Sequence, residues 1–599
     1  METEEILYKP LSDGNFIRYI VLEAGEDDEP LECVLVVSSL DKMPYFEAIS
    51  YVWGSDRKEK DVVCNGRVVK ITHNLWRVLR DVRLPRQSRT LWADSICINQ
   101  EDLTEKARQV ALMGQIYSKA DRVLICLEAK ANEHAPAAVS LLAELDEMIL
   151  DKLKYASSSN GSFPFLTAEE REKLARDGRW KSLLALTEEP WFERGWVVQE
   201  AGLSTSAVVK WGGLEIEWQK VLRVWTWMEQ RLPQVWTQNP TSIDRMNDLH
   251  LEIYRNRNPK EATPLYSNVN SAEVLFLDLF HYARPLRFKE PSDRVYAFLE
   301  LANRITLPVS IMPDYRQHSN DVYLELARQY IESTHSVRIL EYIQHTEATL
   351  LDNCPSWVPR WDVNMFEVRI VSPYGTNLDT RPMISTSNTQ INTSNAKILN
   401  VCGVVVDQVE FIFEVFKEKP SITELRSLWK TISQHAQLTS PYALTDQDIA
   451  FVTTLSVGRH IGNWEQWQVY RAAYLLSLKQ EGCQDEETQG KYDMIHYWVQ
   501  SCTYNRRLVL TRRGYFGLGP PLTMKDDICC VLDGGMSPYI LRETSMPGEY
   551  KVIGDVYITS RKRRSHLSGK GGDITLSFCE EGARDWVDWG SEERTFFLC

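Results

Sequence analysis

The sequence predicts an α/β domain with a mainly parallel sheet, followed by a helical region and a mixed α+β C-terminal region. From about residue 45 to 230, short apolar runs alternate with helix-like patterns, which is typical of a sheet covered by helices. Helical patterns dominate residues 270–375, and strand-like runs mix with helices over 398–599. A chain of 599 residues is long enough for several such cores without disulfides.

The first strand is expected at 46–53, because an apolar run there ends at Gly54. A hairpin follows at 62–71, where an Asn-Gly pair suits the positive φ of a tight turn. Leucine and valine at i, i+3, i+4 and i+7 predict a helix over 75–82, starting at Thr72 or Asn74. The apolar run 91–98 predicts the next buried strand.

A helix is expected over 102–120, with Asp102 and Glu105 as a capping box, and a third strand over 122–127. Residues 130–180 are polar and indicate an insertion. A further helix is expected over 190–200, and its internal glycine indicates close backbone packing or the approach of a ligand. A strand pair at 207–216 completes the domain, which we delimit at 40–230.

The rest of the chain has a different pattern. Residues 376–395 carry almost no large apolar side chains and are the best candidate for a linker or long loop. The remaining expected elements are helices within 272–302, 321–333, 421–436, 464–478 and 490–502, and strands at 398–415, 527–532 and 550–558.

Composition excludes several classes of protein. A net charge of −15 argues against a nucleic acid as the main partner. The N-terminus lacks a signal peptide, and no apolar run is long enough for a membrane span. The twelve cysteines show no CxxC and the eleven histidines no HExxH, so we expect no metal site but buried thiols in a cytoplasmic protein.

Three segments, in order, resemble the fungal heterokaryon incompatibility (HET) domain. They are 46–54 (FEAISYVWG), 91–100 (LWADSICINQ) with the helix after it, and 191–200 (WFERGWVVQE). Downstream segments at 291–296, 313–315, 355–359 and 514–531 resemble the C-terminal part of such proteins. The resemblance implies a TIR-like parallel sheet for the HET domain.

The resemblance also implies a function. HET proteins act in non-self recognition and programmed cell death when incompatible fungal cells fuse, so self-association through the HET domain and an unknown partner incompatibility protein are expected. The HET domain is similar to the TIR domain, whose enzymatic members cleave the nicotinamide–ribose bond of NAD. By this resemblance Glu200 takes the place of the catalytic glutamate, NAD is a possible substrate, and no cofactor is expected.

The candidate chemistry fits these residue types. Nicotinamide leaves as a neutral amine, so a single carboxylate at Glu200 suffices to stabilise the oxocarbenium-like ribose. Ligands of doubly wound sheets bind at the carboxyl ends of strands, where the candidate substrate-binding residues cluster. Trp53 offers a ring for stacking, Gly54 a close backbone approach and Arg194 a phosphate ligand. The binding set is Tyr51, Trp53, Gly54, Asp94 and Arg194.

Structural alternatives remain open for four of these residues. Glu200 could be a helix carboxylate paired with Arg194 or a neighbouring lysine, and Arg194 could form a surface ion pair. Asp94 could cap a loop, and Trp53 could belong to the core. The alternative functions are a non-catalytic, self-associating signalling module and a HET-domain accessory protein of a metabolic gene cluster, since a domain does not define a pathway.

Overall fold

The structure of the protein is a computed structural model. It describes residues 7–26, 29–155, 163, 166–232, 248–257, 272–304, 310–366, 368–370, 390–391, 395, 397–444, 446–458, 464–479, 486–561 and 592–599. The chain divides into two compact units, Met1–Ser319 and Asn320–Cys599. Each is described separately.

The first unit is built on a mixed sheet with a parallel centre. Its strands in the described residues are β1 Phe16–Leu22, β2 Glu32–Ser39, β3 Glu47–Tyr51, β4 Lys58–Cys64, β5 Arg67–Thr72, β6 Arg89–Trp92, β7 Arg122–Cys126, β8 Ala207–Trp211 and β9 Leu214–Glu217. The order across the sheet is β5-β4-β2-β1-β6-β3-β7-β8-β9. β6, β3, β7 and β8 are mutually parallel neighbours, which confirms the predicted parallel sheet.

Taken in chain order, these four parallel strands are arranged 2-1-3-4, the order of flavodoxin-like doubly wound sheets. Antiparallel strands flank them: β1 pairs with β6 and β2 on one side, and β9 pairs with β8 on the other. The hairpin β4–β5 turns at Asn65 and Gly66, whose φ values of 53° and 74° are the positive angles that the Asn-Gly pair predicts.

Helices cover this sheet. The described ones are α1 His73–Val82, α2 Asp94–Cys97, α3 Leu103–Lys119, α4 Ala135–Tyr155, α5 Ala168–Ala175, α6 Trp180–Ala185, α7 Trp196–Gly202 and α8 Trp218–Arg231, followed by Asp248–Arg257, Ala272–Tyr282, Asp293–Tyr296 and Leu299–Arg304. The described part of this unit also has 3-10 turns at Leu40–Lys42, before α1, and at Ala129–His134, Leu186–Glu188 and Pro190–Glu193, between later helices.

Two helix starts follow the sequence signals. Thr72 caps α1, since its hydroxyl accepts a hydrogen bond from the Leu75 amide at 3.3 Å. The Asp102 carboxylate caps α3 by accepting from the amides of Thr104 and Glu105 at 2.9 and 3.1 Å. The expected capping box is only half formed, because the Glu105 carboxylate pairs with buried Arg18 instead of the Asp102 amide.

Two expected elements differ in the structure. The run 91–98 is not one strand: β6 ends at Trp92 and the short helix α2 follows, with the Asp94 carboxylate accepting from the Ser95 amide at 2.7 Å. A continuous apolar run does not distinguish a buried strand from a buried helix. The predicted helix 190–200 is a 3-10 turn, Pro190–Glu193, and then α7, because Arg194 adopts an extended backbone between them.

The described residues of the insertion at 130–180 are largely helical and well packed. Leu141, Leu142, Leu145 and Ile149 of α4 are each at most 1% exposed. α4 packs against α6 and α8. A segment that the sequence indicates only as polar therefore contributes to the core of the first unit.

The second unit contains a sheet that closes on itself. Its described strands are β10 Gln390–Ile391, β11 Leu399–Val415, β12 Arg507–Thr511, β13 Phe516–Gly519, β14 Ile528–Leu532, β15 Tyr539–Glu543, β16 Glu549–Asp555, β17 Tyr557–Ile558 and β18 Glu593–Leu598. The long strand β11 pairs with β18 on one side and with β14 on the other. Because β14, β15, β16 and β18 pair in sequence, these five strands form a closed ring.

Helices pack on this ring, as a mixed α+β region requires. The described ones are Ser319–Thr334, Glu347–Leu351, Ile422–Thr439, Gln447–Leu455, Trp464–Leu478 and Glu486–Thr503, with a 3-10 turn at Arg338–Tyr342. Their buried side chains, such as Phe451, Tyr474 and Val499, share one core with Phe516 and Ile540 of the sheet. The candidate linker at 376–395 lies outside the described residues except for 390–391 and 395.

The ten cysteines among the described residues are all free thiols, and eight of them are buried. Among the helices described, none has the length and apolarity that a membrane crossing requires.

Candidate functional site

A cleft of about 510 Å³ opens in the first unit, beside the carboxyl ends of β3 and β6. This volume is within the roughly 300–1,000 Å³ typical of small-molecule sites. Four of the predicted site residues line it, namely Trp53, Gly54, Asp94 and Arg194. Tyr51 and Glu200, the other two predicted site residues, do not line the cleft and are buried behind these four residues.

Trp53 and Asp94 form one side of the cleft as a fixed pair. The Trp53 indole nitrogen donates to both carboxylate oxygens of Asp94 at 3.0 Å. Asp94 is only 8% exposed, and burial raises its pKa above the ordinary value although the charge of Arg194 opposes this. These hydrogen bonds hold the aromatic ring of Trp53 in one orientation in the wall of the cleft.

Gly54 turns the chain away after β3. Its φ is +69°, which is unfavourable for other residues. A Cβ atom there would lie 2.6 Å from the side-chain nitrogen of Asn74, which donates to the Val52 carbonyl at 3.0 Å. Glycine at this position therefore serves the turn and its close neighbour Asn74.

Glu200 is buried behind the cleft. It lies on α7 and is 1% exposed. The Ser50 hydroxyl donates a hydrogen bond to its carboxylate, and Ser50 accepts one from the Trp191 indole at 2.8 Å. Burial raises the pKa of Glu200 to about 7, against the opposing charge of Arg194. A carboxyl group with this pKa exchanges its proton near neutral pH.

Arg194 connects the cleft with Glu200. Its guanidinium donates to the Tyr51 backbone carbonyl, and its Nη2 lies 3.9 Å from Oε1 of Glu200. The side chain is 18% exposed and lines the cleft. One cation therefore touches the strand end, the buried carboxylate and the cleft.

Tyr51 has a supporting position. Its side chain is 1% exposed, and its hydroxyl lies 2.6 Å from the Ser95 hydroxyl oxygen. Burial, reinforced by the charge of Asp94, raises its pKa well above the ordinary value. Tyr51 joins the end of β3 to α2 and does not line the cleft.

The opposite wall comes from residues 287–290, Asp293 and Tyr315, which the sequence did not assign to the site. The Gly195 amide donates to the Arg287 carbonyl at 3.1 Å, and the Arg287 amide donates to the Glu193 carbonyl at 2.6 Å. A Cβ atom on Gly195 would lie 1.7 Å from Cζ of Phe288. The glycine predicted to allow close packing thus receives the Phe288 ring.

Asp293 is the acidic group of this second wall. Its carboxylate accepts from the Trp196 indole at 3.1 Å and from the Tyr315 hydroxyl at 2.9 Å. Burial raises its pKa to about 6. The ammonium of Lys106 lies 4.2 Å from the centre of the Tyr315 ring. In the sequence, the segments around Asp293 and Tyr315 are marked only by their resemblance to HET proteins, and this resemblance is the signal that could have found them.

The cleft as a whole combines flat rings with both signs of charge. Its aromatic side chains are Trp53, Trp196, Phe288 and Tyr315, and its cations are Lys106, Arg194, Arg287 and Lys289. Aromatic faces stack on planar ligands, and arginine and lysine bind phosphate. Four acids, Asp56, Asp94, Glu290 and Asp293, also line the cleft, so basic and acidic side chains are equal in number there.

Two segments of the chain match known protein families. Residues 46–200 match the family described as "Heterokaryon incompatibility protein (HET)", and residues 437–560 match "Het-6 beta-barrel domain". The chain therefore contains one segment that matches the HET family and another that matches the Het-6 β-barrel domain, which confirms the resemblance found in the sequence. The second match covers the ring strands β14 to β16 and the adjoining strands β12, β13 and β17, with the helices Gln447–Leu455, Trp464–Leu478 and Glu486–Thr503.

A curated relative is similar along nearly the whole chain. It is "Heterokaryon incompatibility protein 6, OR allele" of Neurospora crassa, 23% identical over 646 residues, which cover 88% of this chain and 91% of the relative. No solved structure matches the chain. The second cleft wall, formed by residues 287–290, Asp293 and Tyr315, lies outside both family matches.

Proposed function

We propose that the protein acts in fungal heterokaryon incompatibility, as a cytoplasmic regulator of programmed cell death in non-self recognition. The HET match and the name of the Neurospora relative support this role. We further propose that its cleft binds NAD and cleaves it as TIR enzymes do. The observation that carries this second step is the position of the cleft at the carboxyl ends of the parallel strands, with Trp53, Asp94 and Arg194 in its wall.

The proposed reaction is hydrolysis. The bond between ribose C1′ and the nicotinamide nitrogen breaks, and its electron pair leaves with neutral nicotinamide. A water oxygen bonds to C1′ and gives up one proton, so the products are ADP-ribose, nicotinamide and a proton. Negative charge beside C1′ stabilises the cationic ribose in the transition state, most strongly where water is excluded.

In the proposed reaction Arg194 binds the pyrophosphate and Glu200 stabilises the cationic ribose. A pyrophosphate in the cleft attracts the Arg194 guanidinium, whose separation of 3.9 Å from Glu200 is that of a weak ion pair. Displacement of Arg194 opens a path from the buried carboxylate to the cleft. The positive nicotinamide ribosyl group then takes the place of the arginine charge beside Glu200, which keeps the carboxylate ionised.

The experiment is to incubate the purified full chain with NAD and to follow nicotinamide release by chromatography. We expect Glu200→Gln to lower the release rate by about 100-fold or more, the typical effect of losing a charge that stabilises a transition state. The matched control is Glu189→Gln. Glu189 is also buried, with a pKa raised to about 7, and it does not line the cleft.

No nicotinamide release by the wild type, at concentrations that promote self-association, would reject the enzymatic proposal. Release that survives Glu200→Gln but falls in Asp94→Asn would instead assign the chemistry to the carboxylate that already faces the cleft. Both variants need circular dichroism to show that they fold.

A second candidate function is a non-catalytic signalling module that self-associates through its HET domain. The burial of Glu200, at 1% exposure, favours this alternative because the carboxylate does not reach the cleft in this structure. Sedimentation at increasing concentration and toxicity in a fungal host test it. If Glu200→Gln is as toxic as the wild type and toxicity follows oligomer formation, the module is the correct function.

A further inference from the structure

Three potential metal ligands meet on the closed sheet of the second unit, far along the chain from one another. Cys402 lies on β11, Asp533 directly follows β14 and Glu593 begins β18. One ligand atom from each lies within 4.8 Å of the other two. The three residues belong to a part of the molecule to which the proposed function assigns no chemistry.

Strand pairing places these side chains together. Cys402 is directly opposite Thr595 of β18, and its sulfur lies 3.7 Å from the Thr595 hydroxyl oxygen. Glu593 is two residues before Thr595, so both side chains point to the same face. On the other side of β11, the Asp533 amide donates to the Cys402 carbonyl at 2.9 Å. The backbone ladder therefore fixes the arrangement.

Asp533 provides an independent sign that a ligand is needed. It is only 4% exposed. Its Oδ1 atom is buried and has no hydrogen-bond partner in the described part of the chain. An unpartnered buried carboxylate oxygen is costly, and coordination of a cation is one of the few ways to satisfy it.

We propose that Cys402, Asp533 and Glu593 bind a divalent cation of the zinc type. Thiolate is a soft ligand that favours Zn²⁺, whereas Mg²⁺ and Ca²⁺ take oxygen ligands only. Three protein ligands leave a fourth tetrahedral position for water. Glu593 is exposed, so its side chain can rotate towards Cys402 to reach coordination distance.

The proposed ion joins three strands of the ring at one point. β11 pairs with β14 through Gly403 and Leu532, and with β18 through Cys402 and Thr595. A cation held by all three strands links both neighbours of β11 and stabilises the closed sheet, because an ion that binds only the folded state shifts unfolding to higher temperature.

The test uses the metal-free, reduced full chain. Titration with Cd²⁺ gives an ultraviolet charge-transfer absorption when a thiolate binds the ion, and titration with Zn²⁺ followed by calorimetry gives affinity and stoichiometry. We expect one equivalent to bind and the thermal unfolding midpoint to rise. Cys402→Ala should abolish the Cd²⁺ absorption and weaken Zn²⁺ binding by more than the roughly 10–100-fold that loss of a supporting residue costs.

Asp533→Asn and Glu593→Gln should also weaken binding, and neither removes a thiol. The matched controls are Cys599→Ala, another partly exposed cysteine of this unit, and Glu543→Gln, an exposed acid on β15. Both should bind like the wild type. Absence of binding in the wild type, or binding and absorption that persist in Cys402→Ala, would overturn the proposal, and neither result bears on NAD cleavage.

Discussion

Ser50 and Glu200 are 150 positions apart in the chain, and the Ser50 hydroxyl donates a hydrogen bond to the Glu200 carboxylate. The same hydroxyl oxygen accepts from the Trp191 indole at 2.8 Å. A serine at the end of β3 therefore connects the central sheet with α7 through a buried polar chain. Such a chain is stable only while every member has its partner.

Ser50→Ala should destabilise the protein by about 1–3 kcal/mol, because it leaves the Trp191 indole and the Glu200 carboxylate without this buried partner. It should also raise the pKa of Glu200, since the hydrogen bond from Ser50 lowers it. Urea unfolding measures the first effect. Exposed Ser206→Ala should change stability by no more than about 0.5 kcal/mol, and an equal loss in both variants would contradict the prediction.

Glu200→Gln should make stability less dependent on pH. In the folded protein the pKa of Glu200 is raised from 4.5 to about 7. Between these values the folded chain keeps a proton that the unfolded chain has released, so wild-type stability falls as pH rises, by up to about 1.4 kcal/mol per pH unit. Glutamine has no such proton.

The variant should therefore match the wild type near pH 4 and become relatively more stable through pH 7, with no further gain at higher pH. Other buried acids of this unit, such as Asp293, titrate equally in both proteins and cancel in the difference. Denaturant unfolding of both proteins at a series of pH values measures this difference in the free energy of unfolding. A constant difference across this range would show that Glu200 titrates normally.

Local patterns were enough to predict most of the first sheet. β3, β7 and the hairpin β4–β5 follow from apolar runs and an Asn-Gly turn, which are signals contained in a few neighbouring residues. β1 was not predicted, and neither was its pairing with β2 over seven positions, from Phe16↔Ser39 to Leu22↔Cys33. Their attachment to β6 is a long-range pairing, which no local periodicity encodes.

The site was predictable on one side only. Trp53 and Asp94 follow strand ends, and the rule that ligands bind at carboxyl ends of parallel strands brings them together. Trp196 and Asp293 are 97 positions apart in the chain, and only the folded chain shows that the segment of Phe288 and Asp293 packs on Gly195 and Trp196. The burial of Glu200 likewise depends on packing from several elements.

Gly195→Ala should displace the second wall of the cleft. The new methyl group would overlap the Phe288 ring, and overpacking of this kind typically costs about 1–3 kcal/mol. Gly178→Ala is the matched control, since a Cβ there meets no atom within 4 Å. Thermal unfolding of the two variants measures this cost. Adding Phe288→Ala to the Gly195→Ala variant should restore part of the lost stability if the overlap with the Phe288 ring is the cause. Failure of the rescue would locate the strain elsewhere.

Glu105→Gln should be among the most destabilising single changes in the first unit. Arg18, 1% exposed, donates from Nη2 to Oε2 of Glu105 at 2.9 Å, and the amide of Asn99 donates to Oε1 at 2.8 Å. Removal of the negative charge leaves a buried guanidinium uncompensated, which costs about 3–5 kcal/mol.

The exposed pair Arg108–Asp13, at 3.1 Å, provides the comparison. Because water screens both groups, Asp13→Asn should change the free energy of unfolding by less than about 1 kcal/mol. Denaturant unfolding of both variants in low and high salt separates the two cases. The Glu105→Gln loss should persist in high salt, because a buried pair is screened far less than an exposed one, and a loss that salt removes would show that the Arg18–Glu105 pair is accessible to water.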